Sequence, residues 1–151
     1  MQLNSAVKNE IINFANGNPL LAKLACGFTK ELLQQNRTVD LITIFRGSIR
    51  NNRPKEFIFD SLFIYLTPLA KEILVLIALL KDNNKKVDEL VLVQVTGEMI
   101  NYVKSAVKEL ENTSLINRNE SDNDPFDIHD LVKEFAINND LQLTNRLKSK
   151  I

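Results

Sequence analysis

The stretch VDELVLVQVTGEMINYVKSAVKELENTSLINR, residues 87–118, decides the fold class. Asp88 is a capping residue directly before an apolar run, which predicts a short helix to about Val95, with Gly97 turning the chain. The β-branched content of Val87 to Val95 leaves a strand as the alternative there. Beyond Gly97, Ile100, Val103, Val107 and Leu110 recur at helical spacing and mark the buried face of a longer helix. Leu115 to Arg118 then reads as a strand, Asn119 to Asp124 as a polar hairpin tip, and Pro125 to Ile128 as a returning strand or extended segment.

Upstream of this stretch, Asp82 to Lys86 is a polar break that ends a strongly apolar helix over Leu69 to Leu80, started by Thr67-Pro68. Its run Ile73 to Leu80 is too short to cross a bilayer and is flanked by Lys71, Glu72 and Lys81, so it reads as a buried helix. Phe57 to Leu66 carries Ile58, Leu62 and Tyr65 at helical spacing before it. Helix, short helix, longer helix and hairpin together make a winged helix.

Three further helices are expected at the N-terminal end. Val7, Ile11, Phe14 and Ala15 share one face of a helix that Gly17 ends, and Asn18-Pro19 supplies an N-cap with proline at the first helical position. Leu21, Leu24, Ala25, Phe28 and Leu32 give the next helix a broad apolar face, which places Cys26 in the core, and Gln34-Gln35-Asn36 ends it. Val39, Ile42, Phe45 and Ile49 form a third face, with Asp40 at its start and Arg46 and Arg50 toward its end, as the helix dipole favours. Asn51-Asn52-Arg53-Pro54 breaks the pattern. The expected fold is mainly α: a helical bundle over 1–53, a winged-helix domain with a short β-hairpin wing over 54–140, and a tail or linker over 141–151.

The composition is that of a globular protein, with 44% hydrophobic and 25% charged residues. Nineteen basic and nineteen acidic residues cancel, which removes the bulk attraction that most binders of nucleic acid or anionic membranes rely on. A single cysteine excludes an intramolecular disulfide and fits a reducing, cytoplasmic compartment. Residues 1–16 have no signal-peptide pattern, and no repeat or low-complexity segment is visible.

The lone histidine, His129, stands in Phe126-Asp127-Ile128-His129-Asp130-Leu131-Val132, at the start of an amphipathic helix. The first N–H groups of a helix have no partner inside it and carry partial positive charge, so a histidine there can join them in holding a phosphate. A structural, partly exposed histidine is the competing reading. With one His, one Cys and no clustered ligand spacing, neither a nucleophilic dyad nor a metal site is expected.

In order along the chain stand Gly17-Asn18-Pro19-Leu20-Leu21-Ala22 at a helix head, Asp60-Ser61-Leu62 to Leu66, the Leu69 to Leu80 helix, Leu110 to Ile116, and Ile128-His129-Asp130-Leu131-Val132. That order resembles the back half of the NB-ARC module of STAND nucleoside triphosphatases, the switches of plant resistance receptors, apoptosome scaffolds and bacterial defence proteins. The resemblance implies a small helical subdomain with a Gly-x-Pro motif followed by a winged helix ending in a Met-His-Asp motif. It implies that Pro19, supported by Gly17, packs on the adenine side of a nucleotide, and that His129 contacts the β-phosphate of ADP, braced by Asp130. Ile128 stands where methionine is usual, a conservative apolar change.

None of the four glycines opens a G-x-x-x-x-G-K-[ST] loop to cradle phosphates, and Asp88-Glu89 follows Lys85-Lys86-Val87 rather than a buried run, so there is no apolar strand ending in paired acids to position Mg²⁺. The chain is therefore expected not to hydrolyse ATP alone. ADP or ATP would be held only together with an upstream nucleotide-binding subdomain of the same protein, and the parent protein could oligomerise. A winged-helix DNA reader is the second expectation, weakened by Glu120, Asp122, Asp124 and Asp127 around the wing's Arg118. A protein-interaction module without nucleotide is the third.

Overall fold

The structure is a computed structural model that describes residues 5–34, 54–119 and 123–151. Among them it is mainly helical, with eight helices and one two-stranded antiparallel sheet. The chain divides into two compact units, Met1–Tyr65 and Leu66–Ile151. The expected helix with the Val39, Ile42, Phe45 and Ile49 face, the break at 51–53 and the hairpin tip at 120–122 lie outside the described residues.

In the first unit, α1 (Ser5–Ala15) packs on α2 (Pro19–Gln34), and α2 packs on α3 (Pro54–Tyr65). Ile11, Phe14 and Ala15 are the buried face of α1, as their spacing predicts. Leu21, Leu24, Ala25 and Phe28 are buried on α2. Cys26 is only half-buried, because two residues beyond Leu24 the helix has turned it away from that face. Ile58, Phe59, Leu62 and Phe63 are buried on α3, and the Tyr65 ring lies 5.7 Å from Phe28. These contacts give Pro54–Tyr65 to the first unit, whereas the sequence suggests a division at 53/54. The break at Asn51 to Pro54 is local, but the apolar face of the helix after it decides which core it joins.

The second unit is organised on α4 (Pro68–Asp82), in which every residue from Ile73 to Leu80 is buried. A helix apolar on all sides must be surrounded, and α4 contacts α5 (Glu89–Thr96), α6 (Ile100–Asn112), α7 (Asp130–Asn139) and α8 (Leu141–Lys148). Its start is braced from α6: the Thr67 N–H and hydroxyl donate to Glu109 Oε1 and Oε2 at 3.0 and 2.7 Å, while the Thr67 oxygen accepts from the Ala70 N–H at 3.4 Å.

Residues Glu89–Thr96 are helical rather than extended. Asp88 accepts from the Val91 N–H at 2.9 Å, and Gly97, at φ 70°, closes the helix in the left-handed region. The caps outweigh the β-branched residues between them. Val103, Ala106, Val107 and Leu110 are the buried face of α6, while Ile100, in its first turn, is 38% exposed. Strands β1 (Asn117–Arg118) and β2 (Phe126–Asp127) pair Asn117 with Asp127 and Arg118 with Phe126. Leu115, Ile116 and Ile128 are buried beside this short ladder, not within it.

Residues 141–151, expected as a tail or linker, contain α8 and belong to the second core. Asp140 accepts from the Leu143 N–H at 3.1 Å, and Thr144 and Leu147 are buried one turn apart. No helix among the described residues is long and apolar enough to cross a membrane.

Candidate functional site

The buried side chains of Phe126 and Ile128 fix the segment that leads into α7, and His129 follows with its side chain exposed. Apolar anchors on alternate residues leave Asp127 and His129 pointing outward. His129 is the N-cap of α7 rather than a first-turn residue: its backbone is extended (φ −65°, ψ 142°), and its Nδ1 accepts from the Leu131 N–H at 3.1 Å. Its carbonyl takes the first helical bond, from the Lys133 N–H, at 2.9 Å.

An imidazole nitrogen that accepts carries no proton, so the capping ring holds its hydrogen on Nε2. The cap therefore uses one ring nitrogen on the helix and turns the N–H of the other away from it. Such an N–H can donate one hydrogen bond to an anionic oxygen beside the helix start.

Asp130, matched to the brace of the histidine motif, does not reach His129 by any hydrogen bond among the described residues. Its carboxylate lies 3.6 Å from Lys133 Nζ, which also sits 3.6 Å from Asp82 Oδ1. Asp130 complements the helix dipole from the first turn, and Lys133 ties that turn back to the end of α4. The local field is mixed, since the carboxylates of Asp127 and Asp130 flank the exposed His129.

Pro19 lies in the first unit, at the first helical position of α2, and is exposed. Asn18 Oδ1 accepts from the N–H groups of Leu20 and Leu21 at 3.0 and 3.3 Å, which fixes the proline at the helix head. Gly17 has φ 80°, and a Cβ there would meet nothing within 4 Å, so its freedom serves the turn and not a close approach. Pro19 and His129 belong to different units, each with its own local geometry.

Two charged clusters were not apparent from sequence. Asp124 bonds Lys81 Nζ and accepts from the Val87 N–H at 2.8 Å, tying the hairpin to the end of α4 and the approach to α5. Burial alone would raise its pKa, but the Lys81 hydrogen bond, the Val87 N–H and the charges of Lys81 and Lys86 together hold it below the usual carboxylate value. Arg118 reaches Glu89 at 2.6 Å and Glu111 at 3.9 Å, and its guanidinium stands 5.5 Å from the Phe126 ring centre. These contacts join residues up to 43 positions apart, which no local pattern encodes.

Arg118, Glu89 and Glu111 line an open cleft of about 420 Å³ with Lys104 and Lys108. A second, of about 580 Å³, lies between the starts of α4 and α8, where Arg146 stands 4.0 Å from Glu72. Both are polar-rimmed and open, without an aligned acid–base pair. No group of three or more metal-binding side chains occurs among the described residues. No protein-family model, curated protein or solved structure matches the chain.

Proposed function

We propose that this chain is the regulatory part of a nucleotide-dependent switch of the NB-ARC type. In this reading Leu66–Ile151 is a winged helix, with α4, α5 and α6 as its helices and β1–β2 as its wing. The order of those elements supports it. The observation that carries the functional part is His129: an exposed ring at a helix start, its Nδ1 engaged in the cap and its Nε2–H available to an anionic oxygen. Exposed Pro19, held by the Asn18 cap, suits a flat apolar contact with an adenine face.

These residues fit contributions to a nucleotide site, not a complete one, because the sequence has no phosphate loop and no Mg²⁺-positioning acids. The remaining groups would come from an upstream nucleotide-binding subdomain. A hydrogen bond from His129 to a charged phosphate oxygen contributes about 1.5–3 kcal/mol. That is enough to shift a two-state equilibrium roughly ten- to a hundredfold toward the ADP-bound resting form.

The test is ADP release from a protein that includes the upstream subdomain. His129→Ala is expected to speed release by about ten- to a hundredfold. Pro19→Ala should weaken ADP and ATP alike. Unchanged release from the His129 variant would remove the latch.

A protein-interaction module is the second reading, favoured by the exposed side chains of Leu90, Met99 and Tyr102, which are 66%, 64% and 59% accessible. Docking of the second unit on another subdomain would cover such groups under either reading. A DNA-reading role has less support, because Arg118 is engaged by Glu89 and Glu111 and not held out from the wing.

A further inference from the structure

We infer that Asn16 is a site of spontaneous deamidation in the folded protein, converting the turn between α1 and α2 to an aspartyl or isoaspartyl form. Asn16 is the one asparagine in the sequence followed by glycine. The reaction begins when the next residue's backbone nitrogen attacks the side-chain amide carbon, and a glycine without Cβ crowds that approach least.

Both Asn16 and Gly17 are exposed, and a Cβ built on Gly17 would meet no atom within 4 Å. The attacking group is also unengaged: the Gly17 N–H makes no hydrogen bond among the described residues. Its neighbours do, since the Asn16 N–H donates to Ile12 and the Asn18 N–H to Ala15. Two other exposed asparagines are protected. The nitrogen after Asn83 donates to Lys81 O at 3.0 Å and that after Asn112 to Glu109 O at 3.1 Å. Asn18 is followed by Pro19, whose nitrogen has no hydrogen to lose.

The chemistry balances with water as the only co-reactant. A bond forms between Gly17 N and Asn16 Cγ, the Cγ–NH₂ bond breaks, and the amide leaves as ammonia with the proton from Gly17 N. Water then opens the resulting succinimide at either carbonyl. One opening gives aspartate; the other gives isoaspartate, whose backbone is one carbon longer.

The two products act differently on this turn. Asn16 has φ 47°, a conformation that aspartate also tolerates, so the aspartyl form keeps the path but puts negative charge at the C-terminal end of α1. The isoaspartyl form adds a carbon inside the turn closed by the Asn18 N–H to Ala15 O bond of 2.9 Å, and so moves the Asn18 cap and Pro19 relative to α1. This inference rests on the turn alone and not on the nucleotide reading.

The test holds the native full-length chain at mildly alkaline pH and maps its tryptic peptides by mass spectrometry with fragmentation, while circular dichroism confirms that the fold persists. The expected result is an amide-to-acid mass gain at position 16 that accumulates several-fold faster than at the exposed Asn101 and Asn145, with isoaspartate the major product. Asn16→Gln should abolish the gain in that peptide, because the same attack would need a larger ring. The Asn16→Asp chain supplies the aspartyl reference and keeps the product assignment independent of whether the Gln variant folds. Conversion at position 16 no faster than at Asn101 and Asn145, or only after denaturant is added, would overturn the inference.

Discussion

At the residue scale, the cap made by His129 Nδ1 and the phosphate contact proposed for its Nε2–H are separable, one for each ring nitrogen. Loss of an N-cap acceptor typically costs about 1 kcal/mol, so His129→Ala should lower stability by about that amount in urea unfolding. His129→Asn restores a capping oxygen but no N–H at the former Nε2 position. It is expected to recover stability while leaving ADP release in the larger protein as fast as in the alanine variant. Full recovery of slow release by asparagine would show that the cap alone does the latching. Asp124 makes a pH prediction. A carboxylate whose folded pKa is depressed contributes stability above its unfolded value, and that contribution disappears as pH falls through the folded value. Asp124→Asn should therefore flatten the acid limb of a stability-against-pH curve measured by thermal melting, and a limb of unchanged slope would remove Asp124 as its source.

At the element scale, the sequence is most readable where a cap and an apolar period agree. Thr67-Pro68, Asp88 and Gly97 mark their helix ends in the structure, and the Ile73 to Leu80 run is buried as its composition requires. Capping decided Glu89–Thr96 against its own β-branched residues, because a side-chain acceptor at Asp88 and a left-handed Gly97 satisfy backbone groups that a strand would have left to a partner. The C-terminal helix is hidden in the sequence for the converse reason. Leu141, Leu143 and Leu147 give a sparse apolar signal among polar residues, and the surfaces of α4 and α7 supply the partners that make it a core element. Leu147 is fully buried, so Leu147→Ala should cost about 2–5 kcal/mol in denaturant unfolding, as other core leucines do. A true tail would tolerate that change with no loss.

At the scale of the molecule, the two readings of where the chain divides differ by one helix, and packing, not punctuation, determines the answer. Proline and asparagine at 51–54 mark where a helix can begin, but the apolar residues of α3 meet α2, and the Tyr65 ring meets Phe28. The candidate site was legible to the same degree. His129 and Pro19 stood out because both sit at helix heads, where type and position suffice. Asp124 with Lys81, and Arg118 with Glu89, were hidden because their partners come from distant elements. Those contacts, with the apolar surface of α4, all lie inside Leu66–Ile151, so that unit carries its own core and its own cross-links. A unit with these attributes should fold independently. A chain of residues 66–151 is expected to give helical circular dichroism and a single cooperative thermal transition, with amides of Ile73 to Leu80 protected longest from hydrogen exchange, because opening α4 requires the whole unit to unfold. A broad, non-cooperative melt would show that this core needs the residues before Leu66, and the division of the chain would then have to be redrawn.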